Sequence, residues 1–165
     1  MKCHLIHKDS IDTVLDKARQ YRSLLEPELA ISICLDVFAV DENNQAALVI
    51  YILAMTDLHT HTNVKVPTKN ITDSIAKLKS EFERTYYTGI TLERKARALM
   101  KNAMSRSFAY NLFVEATKLY DAAQQLAPKH CDDSILRYNA CVRTIASEHL
   151  SPRQDMDDVS WEGES

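Results

Sequence analysis

The stretch Glu115–Pro128, EATKLYDAAQQLAP, constrains the fold of this 165-residue chain more than any other. It places a small residue, an aromatic residue, a second small residue and a proline at Ala116, Tyr120, Ala123 and Pro128. Two antiparallel helices approach closely only where small side chains lie at their crossing and larger ones fill the gaps beside it. Proline then ends the helix, because it has no N–H to continue the hydrogen-bond ladder. The stretch therefore predicts the second helix of a tightly packed helical hairpin.

The rest of the chain shows helical spacing, with apolar residues recurring every three or four positions. Ser10 can cap a first helix, and Pro27 suits the first turn of a second. DENN, residues 41–44, ends the second helix and caps a third. From the third onward, the helices are predicted at about 45–58, 73–87, 92–103, 108–126 and 132–148, with a loop at 59–70. No segment alternates convincingly as a strand would, so an all-α fold of about seven helices is predicted.

Glycine is scarce, with only Gly89 and Gly163 in the whole chain. This disfavours folds with many tight turns and glycine-rich phosphate loops. Gly89 marks either a break in the helix or a close helix crossing. Tyr86 and Tyr87 beside it are predicted to pack a joint between helices, with an exposed adhesive patch as the alternative.

The longest apolar run, Ala46–Met55, is about half the length that a membrane-spanning helix requires. It predicts a helix buried on most sides. The N-terminus lacks the pattern of a signal peptide, and four cysteines without a framework spacing favour a reduced compartment. We therefore expect a cytoplasmic protein without a membrane segment. Cys34 and Cys141 lie on apolar helix faces and are predicted to be buried thiols.

The spacing within Glu115–Pro128 resembles the second helix of the tetratricopeptide repeat, a helix–turn–helix unit of 34 residues with a small–aromatic–small–proline signature. All four signature places are matched by the residues singled out above. Counting back twelve residues from Ala116 puts Met104 at the small crossing site of the unit's first helix. This is an imperfect match, because methionine is not small.

The same template fits weaker units nearer the N-terminus. In the first unit, Val14, Ala18 and Tyr21 match the large, small and aromatic places of the first helix. Ala30 fits the small place of the second helix, whereas Cys34 and Val37 are softer substitutes and Glu42 stands where proline is usual. Ala46–Met55 then begins a second unit, and Ala76 begins its partner helix. Ala30 and Ala116 are 86 residues apart, against 68 for two periods, an excess of 18. About 12 of these fall in the 59–70 loop, and the other six fit a lengthening near residues 84–90.

The resemblance implies a right-handed α-α superhelix of three degenerate units closed by a C-terminal capping helix, within a domain of residues 1–150. In that family, the first helix of each unit lines a concave groove that binds extended peptides or helices of partner proteins. It therefore implies a non-enzymatic interaction module, a scaffold or adaptor for a protein or peptide partner. An irregular bundle of seven helices stays open as the alternative.

The last fifteen residues, 151–165, differ in composition from the rest of the chain. They carry five acids and one arginine, a net charge of −4, so the total of −3 leaves the body near +1. A body so close to neutral lacks the basic footprint of a nucleic-acid-binding protein. The acidic bias, with Pro152 and Gly163, predicts a disordered tail.

A basic stripe follows Gly89. With Leu92 set at 0°, Arg97, Lys101 and Arg94 fall at about 140°, 180° and 200° on a helix, opposite the apolar positions. They are expected to be solvated, either as an ordinary polar face or as a site that receives an acidic segment. The tail is one such segment, because the only tryptophan lies there among acids. The candidate partner-binding residues are Arg94, Arg97, Lys101, Asn139, Arg143 and Trp161.

Three other functions stay open. A metal- or thiol-dependent enzyme would use the histidines and cysteines, but neither Cys3, His4 and His7 nor His59 and His61 supply the four ligands of a structural zinc site. His130 and Cys131 are adjacent and rarely point together. We therefore expect no catalytic residue, metal or cofactor. A secretion-type chaperone has no specific motif here, and a homodimer would use Ala46–Met55 or the tyrosine pair as its interface.

Overall fold

Seven α-helices make up most of residues 1–61, 68–103 and 105–152, which are the parts of the chain that this computed structural model describes; the side chains of residues 59–61 are not included. The helices are α1 (Ile11–Ser23), α2 (Pro27–Phe38), α3 (Gln45–His61), α4 (Thr68–Ala76), α5 (Glu81–Met100), α6 (Ala109–Leu126) and α7 (Asp133–Ser147). Short 3₁₀ turns occupy Lys8–Ser10 and Arg106–Phe108. No strand occurs in these ranges, so the prediction of an all-α fold is confirmed.

Local sequence explains several helix starts. Pro27 occupies the first turn of α2, as predicted. The amide of Ala47 donates to the Asn44 side-chain oxygen over 2.9 Å, which caps α3. Ser10 stands at the start of α1, but its hydroxyl donates to the His7 carbonyl over 2.7 Å and makes no cap bond. The predicted side-chain cap at Ser10 is therefore wrong.

The division between α4 and α5 differs from the prediction. The break falls at residues 77–80, and α5 continues through Gly89 to Met100. Ser80 caps α5 by accepting a hydrogen bond from the Glu83 amide, and the Arg84 guanidinium donates to the Leu78 carbonyl over 2.6 Å. These bonds satisfy the backbone groups that a helix break exposes. The interval 84–90 is thus helical and holds no lengthened connection.

The predicted loop at residues 59–70 is helical at both ends. The α3 helix reaches His61 and α4 begins at Thr68, while residues 62–67 lie outside the described part. The connection between α5 and α6, from Met100 to Ala109, is longer than the predicted gap between residues 103 and 108.

Each helix packs against the next one along the chain, and the contacts of the short α4 with α3 and α5 are the smallest of these. The pairs α1–α2, α2–α3, α5–α6 and α6–α7 make the main contacts, and α3 also touches both α1 and α5. Gly89 lies against Tyr120, and Arg97 lies over Phe113 with its guanidinium carbon 5.6 Å from the ring centroid. Residue numbers therefore rise along α5 as they fall along α6, so these two helices are antiparallel.

The α3 helix is buried on two sides, as predicted for Ala46–Met55. Ala47, Ile50 and Ala54 pack with α1 and α2. Leu48, Ile52 and Met55 belong to a separate cluster with α4. Over the described residues, no helix combines the length and apolar character needed to cross a membrane.

Candidate functional site

The crossing of α5 and α6 is built from the motif that the sequence singled out. Ala116, Tyr120 and Ala123 are fully buried, while Pro128 follows the end of α6 at Leu126 and is exposed. Gly89 and Tyr86 of α5 both lie against the Tyr120 ring. Met104, where the template placed the small residue of the unit's first helix, lies outside the described residues.

A buried carboxylate lies next to this crossing. The Glu93 side chain is 1% exposed, and its Oε2 accepts a hydrogen bond from the Tyr120 hydroxyl over 2.7 Å. Its Oε1 accepts a hydrogen bond from Arg97 Nε over 2.9 Å and lies 3.6 Å from Arg137 Nη1. We call Glu93, Arg97, Tyr120 and Arg137 the Glu93 cluster. The Glu93 carboxylate thereby links α5, α6 and α7. Its hydrogen bonds and ion pairs compensate for the cost of burying its charge.

The electrostatics of the Glu93 cluster follow from its burial. Burial and the adjacent Glu93 carboxylate raise the pKa of Tyr120 far above its ordinary value, so the phenol stays protonated and donates. Burial by itself would lower the pKa of Arg137, but the charge of Glu93 and the bond with the Tyr86 hydroxyl outweigh it and leave that pKa raised. The cluster thus holds a protonated phenol and charged arginines around one carboxylate.

A second ion cluster joins α5 to α3 and α1. Asp57 of α3 accepts a hydrogen bond from Arg22 Nε of α1 over 2.7 Å, and its other oxygen accepts one from Arg94 Nη1 of α5. Arg94 also donates to the Leu53 carbonyl over 3.0 Å and to the Thr56 hydroxyl over 2.8 Å. We call Arg22, Asp57 and Arg94 the Asp57 cluster. It links α1, α3 and α5 through side chains.

The expectation that Arg94 is solvated is wrong, because its side chain is only 15% exposed. The buried face of α5 includes Glu93 and Gly89, whereas Leu92 is half-buried at its edge. With Glu93 at 0°, Arg97, Lys101 and Arg94 fall at about 40°, 80° and 100°, beside the buried face rather than opposite it. Burial lowers the pKa of Arg94; Asp57 opposes that shift, while the charges of Arg22 and Arg137 add to it.

The two clusters carry more arginines than carboxylates. Arg22, Arg94, Arg97 and Arg137 face Asp57 and Glu93, which leaves an excess of two positive charges (4 − 2). The side chains of Arg97 and Arg137 remain 35% and 38% exposed, so part of this excess meets solvent. We call these four arginines the arginine surface.

The arginine surface has an acidic boundary at one end. Burial raises the pKa of Tyr87 to about 12, and the carboxylates of Glu83 and Asp133, near the beginnings of α5 and α7, add to that shift. Arg97 and Lys101 lie toward the end of α5. A ligand on this surface would therefore place its negative charge toward the ends of α5 and α7.

The other sequence-predicted residues are dispersed. Lys101 is exposed at the end of α5. On α7, Asn139 and Arg143 lie about 200° and 240° around the helix from Arg137, so they face away from the arginine surface. Trp161 lies outside the described residues. Of the predicted set, the structure thus brings together only Arg94 and Arg97.

Four residues of the two ion clusters were missed by sequence reasoning: Arg22, Asp57, Glu93 and Arg137. The signal for Glu93 was present, because it is the single acid among six basic residues from Arg84 to Arg106 and follows Ile90 at a helical spacing of three. Arg137 carried a similar signal, since it lies three residues after buried Ser134 and four before buried Cys141. Arg22 and Asp57 are 35 residues apart, and no local pattern links them.

The cysteines of the described part of the chain divide between buried and accessible positions. Cys34 and Cys141 are fully buried, as predicted, and burial raises the pKa of each thiol to about 12. Cys3 is exposed and Cys131 is half-buried. No group of three histidine, cysteine or acidic side chains within the described residues could hold a metal ion, and the side chains of His59 and His61 are not among them.

The tyrosines beside Gly89 pack as predicted. The ring of Tyr86 is buried between Phe82, at 5.6 Å, and Tyr120, at 5.9 Å between ring centroids, and Tyr87 is half-buried. The self-association surfaces considered from sequence, this pair and Ala46–Met55, are therefore largely occupied inside the protein. Comparison of the chain with protein-family models, curated proteins and solved structures found no match.

Proposed function

We propose that this protein is a non-enzymatic interaction module, a degenerate tetratricopeptide-like stack of helical hairpins that binds a segment of a partner protein. The proposal is supported by the contacts of α3 with both α1 and α5, since they align the first helices of successive hairpins. It is also supported by the buried small–aromatic–small motif at the α5–α6 crossing. Such a row of first helices forms the binding face of a helical repeat protein.

The observation that carries the proposal is the arginine excess along this row. Arginine residues on α1, α5 and α7 outnumber the carboxylates that they contact, and Arg97 and Arg137 are partly exposed. Arginine binds carboxylates through paired donors and is enriched at interface hot spots. The partner segment is therefore acidic, a peptide or helix whose Asp or Glu side chains meet Arg97 and Arg137.

The test is selection of peptide ligands by the full chain from a random library, followed by titration of the selected peptides. We expect acidic sequences whose affinity falls about tenfold in Arg137→Gln, a loss of roughly 1.4 kcal/mol. Arg143→Gln, on another face of the same helix, is the matched control and leaves affinity unchanged. Selected peptides that are not acidic, or that bind Arg137→Gln normally, would contradict the proposal.

The rival class, a metal- or thiol-dependent enzyme, is tested separately by elemental analysis of the purified protein. Stoichiometric zinc would favour it. No specific feature of the described residues favours a secretion-type chaperone over a general interaction module, so it is not proposed.

A further inference from the structure

The C-terminal ends of α5 and α7 lie at the same end of the molecule. Arg106, which follows α5, donates to the Glu148 carbonyl over 2.9 Å and to its carboxylate over 2.7 Å. Leu150 packs against the α5–α7 core, and its amide donates to the Ile145 carbonyl over 3.0 Å. Ser151 and Pro152 line one cavity with Ala103, Arg106 and Ser107, so the chain exits the described body after Pro152, at the end toward which Arg97 and Lys101 lie.

The distance from this exit to the arginine surface matches the position of the acids in the tail. The α7 helix ends at Ser147, ten residues and about 15 Å along the helix from Arg137, and the Leu150 amide turns back to the Ile145 carbonyl. Asp155, Asp157 and Asp158 follow Leu150 by five to eight residues, which an extended chain spans in about 16–29 Å. If the tail turns back along α7, its aspartates can therefore reach Arg137 and Arg97.

Charge and tethering favour the same contact. Residues 151–165 carry a net charge of −4, and the two ion clusters carry an excess of two positive charges (4 − 2). A short flexible tether holds its ligand at an effective concentration on the order of millimolar, so even a weak contact is populated.

We propose that the acidic segment 155–164 of the chain itself occupies the arginine surface and competes there with the partner segment. The inference rests on the proposed function, because it assigns the same surface to an internal competitor. Asp155, Asp157 and Asp158 meet Arg97 and Arg137, and Trp161 covers the adjoining surface of the body.

Trp161 makes the contact measurable in the full chain, because it is the only tryptophan. We expect its fluorescence anisotropy at low salt to exceed that of the triple variant Asp155→Asn, Asp157→Asn, Asp158→Asn, and its emission to lie at shorter wavelength. Salt at about 1 M removes the difference, since the Debye length is then about 3 Å. Equal anisotropy and emission in the two proteins at low salt would overturn the proposal.

The body side is tested by Arg137→Gln, with Arg143→Gln as the matched control and far-ultraviolet circular dichroism as the check on folding. Arg137→Gln is expected to lower Trp161 anisotropy to the level of the triple variant, and Arg143→Gln to leave it unchanged. A tail that responds to Arg143→Gln instead of Arg137→Gln would place the contact elsewhere and overturn the assignment to this surface. The triple variant changes no residue that the structure describes, so it tests the contact even if Arg137→Gln unfolds.

Competition distinguishes this inference from the proposed function. A tail that is docked about 80% of the time lowers partner affinity about fivefold, so the selected acidic peptide should bind the triple variant about fivefold more tightly. Equal affinity for both proteins would overturn the competition and leave the proposed function standing. If no acidic peptide binds either protein, the proposed function fails, and with it the competition.

Discussion

Gly89 of α5 lies directly against the ring of Tyr120 of α6. A Cβ atom at position 89 would stand 2.8 Å from Tyr120 Cε1 and 3.1 Å from Cδ1. The ring has little room to yield, because its hydroxyl donates to the buried Glu93 carboxylate. This contact sets how closely the two helices approach.

Replacing Gly89 by alanine is therefore expected to destabilise the protein. Overpacking costs about 1–3 kcal/mol, and alanine recovers up to about 1 kcal/mol through its higher helix propensity. We expect a net loss of about 1 kcal/mol in the free energy of unfolding, measured by urea denaturation. In a Tyr120→Leu background the same substitution should become neutral or stabilising. A loss of equal size in both backgrounds would show that the ring contact is not its cause.

Replacing Tyr120 by phenylalanine removes the hydrogen bond to Glu93 and leaves the ring in place. A hydrogen bond to a charged group contributes about 1.5–3 kcal/mol, so a loss in that range is expected in urea denaturation. Tyr110→Phe, at a half-buried position of the same helix, is the control and should change stability little. Similar stabilities for the two variants would mean that Glu93 does not depend on this donor.

Replacing Asp57 by asparagine leaves Arg22 and the largely buried Arg94 without their counter-charge. Breaking a buried pair costs about 3–5 kcal/mol, and since the Asp57 side chain is 14% exposed the lower end of that range is expected. Asp16→Asn is the matched control, because the Asp16–Arg19 pair is exposed and contributes at most about 1 kcal/mol. Thermal or urea unfolding that ranks the two variants equally would contradict the structural role of the Asp57 cluster.

The buried thiol of Cys34 predicts a loss of stability in alkali. Burial raises its pKa from 9.0 to about 12, so between these values the unfolded chain releases a proton that the folded chain keeps. The unfolded state then binds fewer protons, and stability falls as pH rises from 9 toward 12. The contribution is fully present below pH 9.

Cys34→Ala should flatten this decline by up to about 1.4 kcal/mol per pH unit. The measurement is urea denaturation with a reductant at several pH values from 7 to 11. Cys3→Ala, at an exposed position, is the control and should leave the slope unchanged. A Cys34→Ala slope equal to that of the unmodified protein would contradict the prediction.

Features governed by short stretches of chain were predictable. The spacing of Ala116, Tyr120 and Ala123 predicted the packed face of α6 correctly, and apolar surroundings predicted the burial of Cys34 and Cys141. Helical spacing is a local property, since residues three and four apart share a face whatever lies beyond it. The Ala46–Met55 run likewise predicted a helix buried on most sides.

The division between α4 and α5 was not predictable from periodicity. Apolar positions continue across the break, but the Ser80 cap and the bond from Arg84 to the Leu78 carbonyl end one helix and begin another. The missed residues of the site depend on partners that are distant in the sequence. The burial of Glu93 depends on Tyr120, which lies 27 residues away, and that of Arg94 depends on Asp57, which lies 37 residues away.

By itself, the sequence determined that the chain forms helices, that α6 packs through small residues, and that a strongly acidic stretch follows the body. Only the tertiary structure decided which face of α5 is covered and which charges are paired. The physical reason is that α3 and α6 flank α5. A residue of α5 beside its most buried positions is therefore covered only where a neighbouring helix places side chains or carbonyl groups against it. The same neighbours turn Arg94 into a buried link between helices and leave Arg97 partly open to solvent.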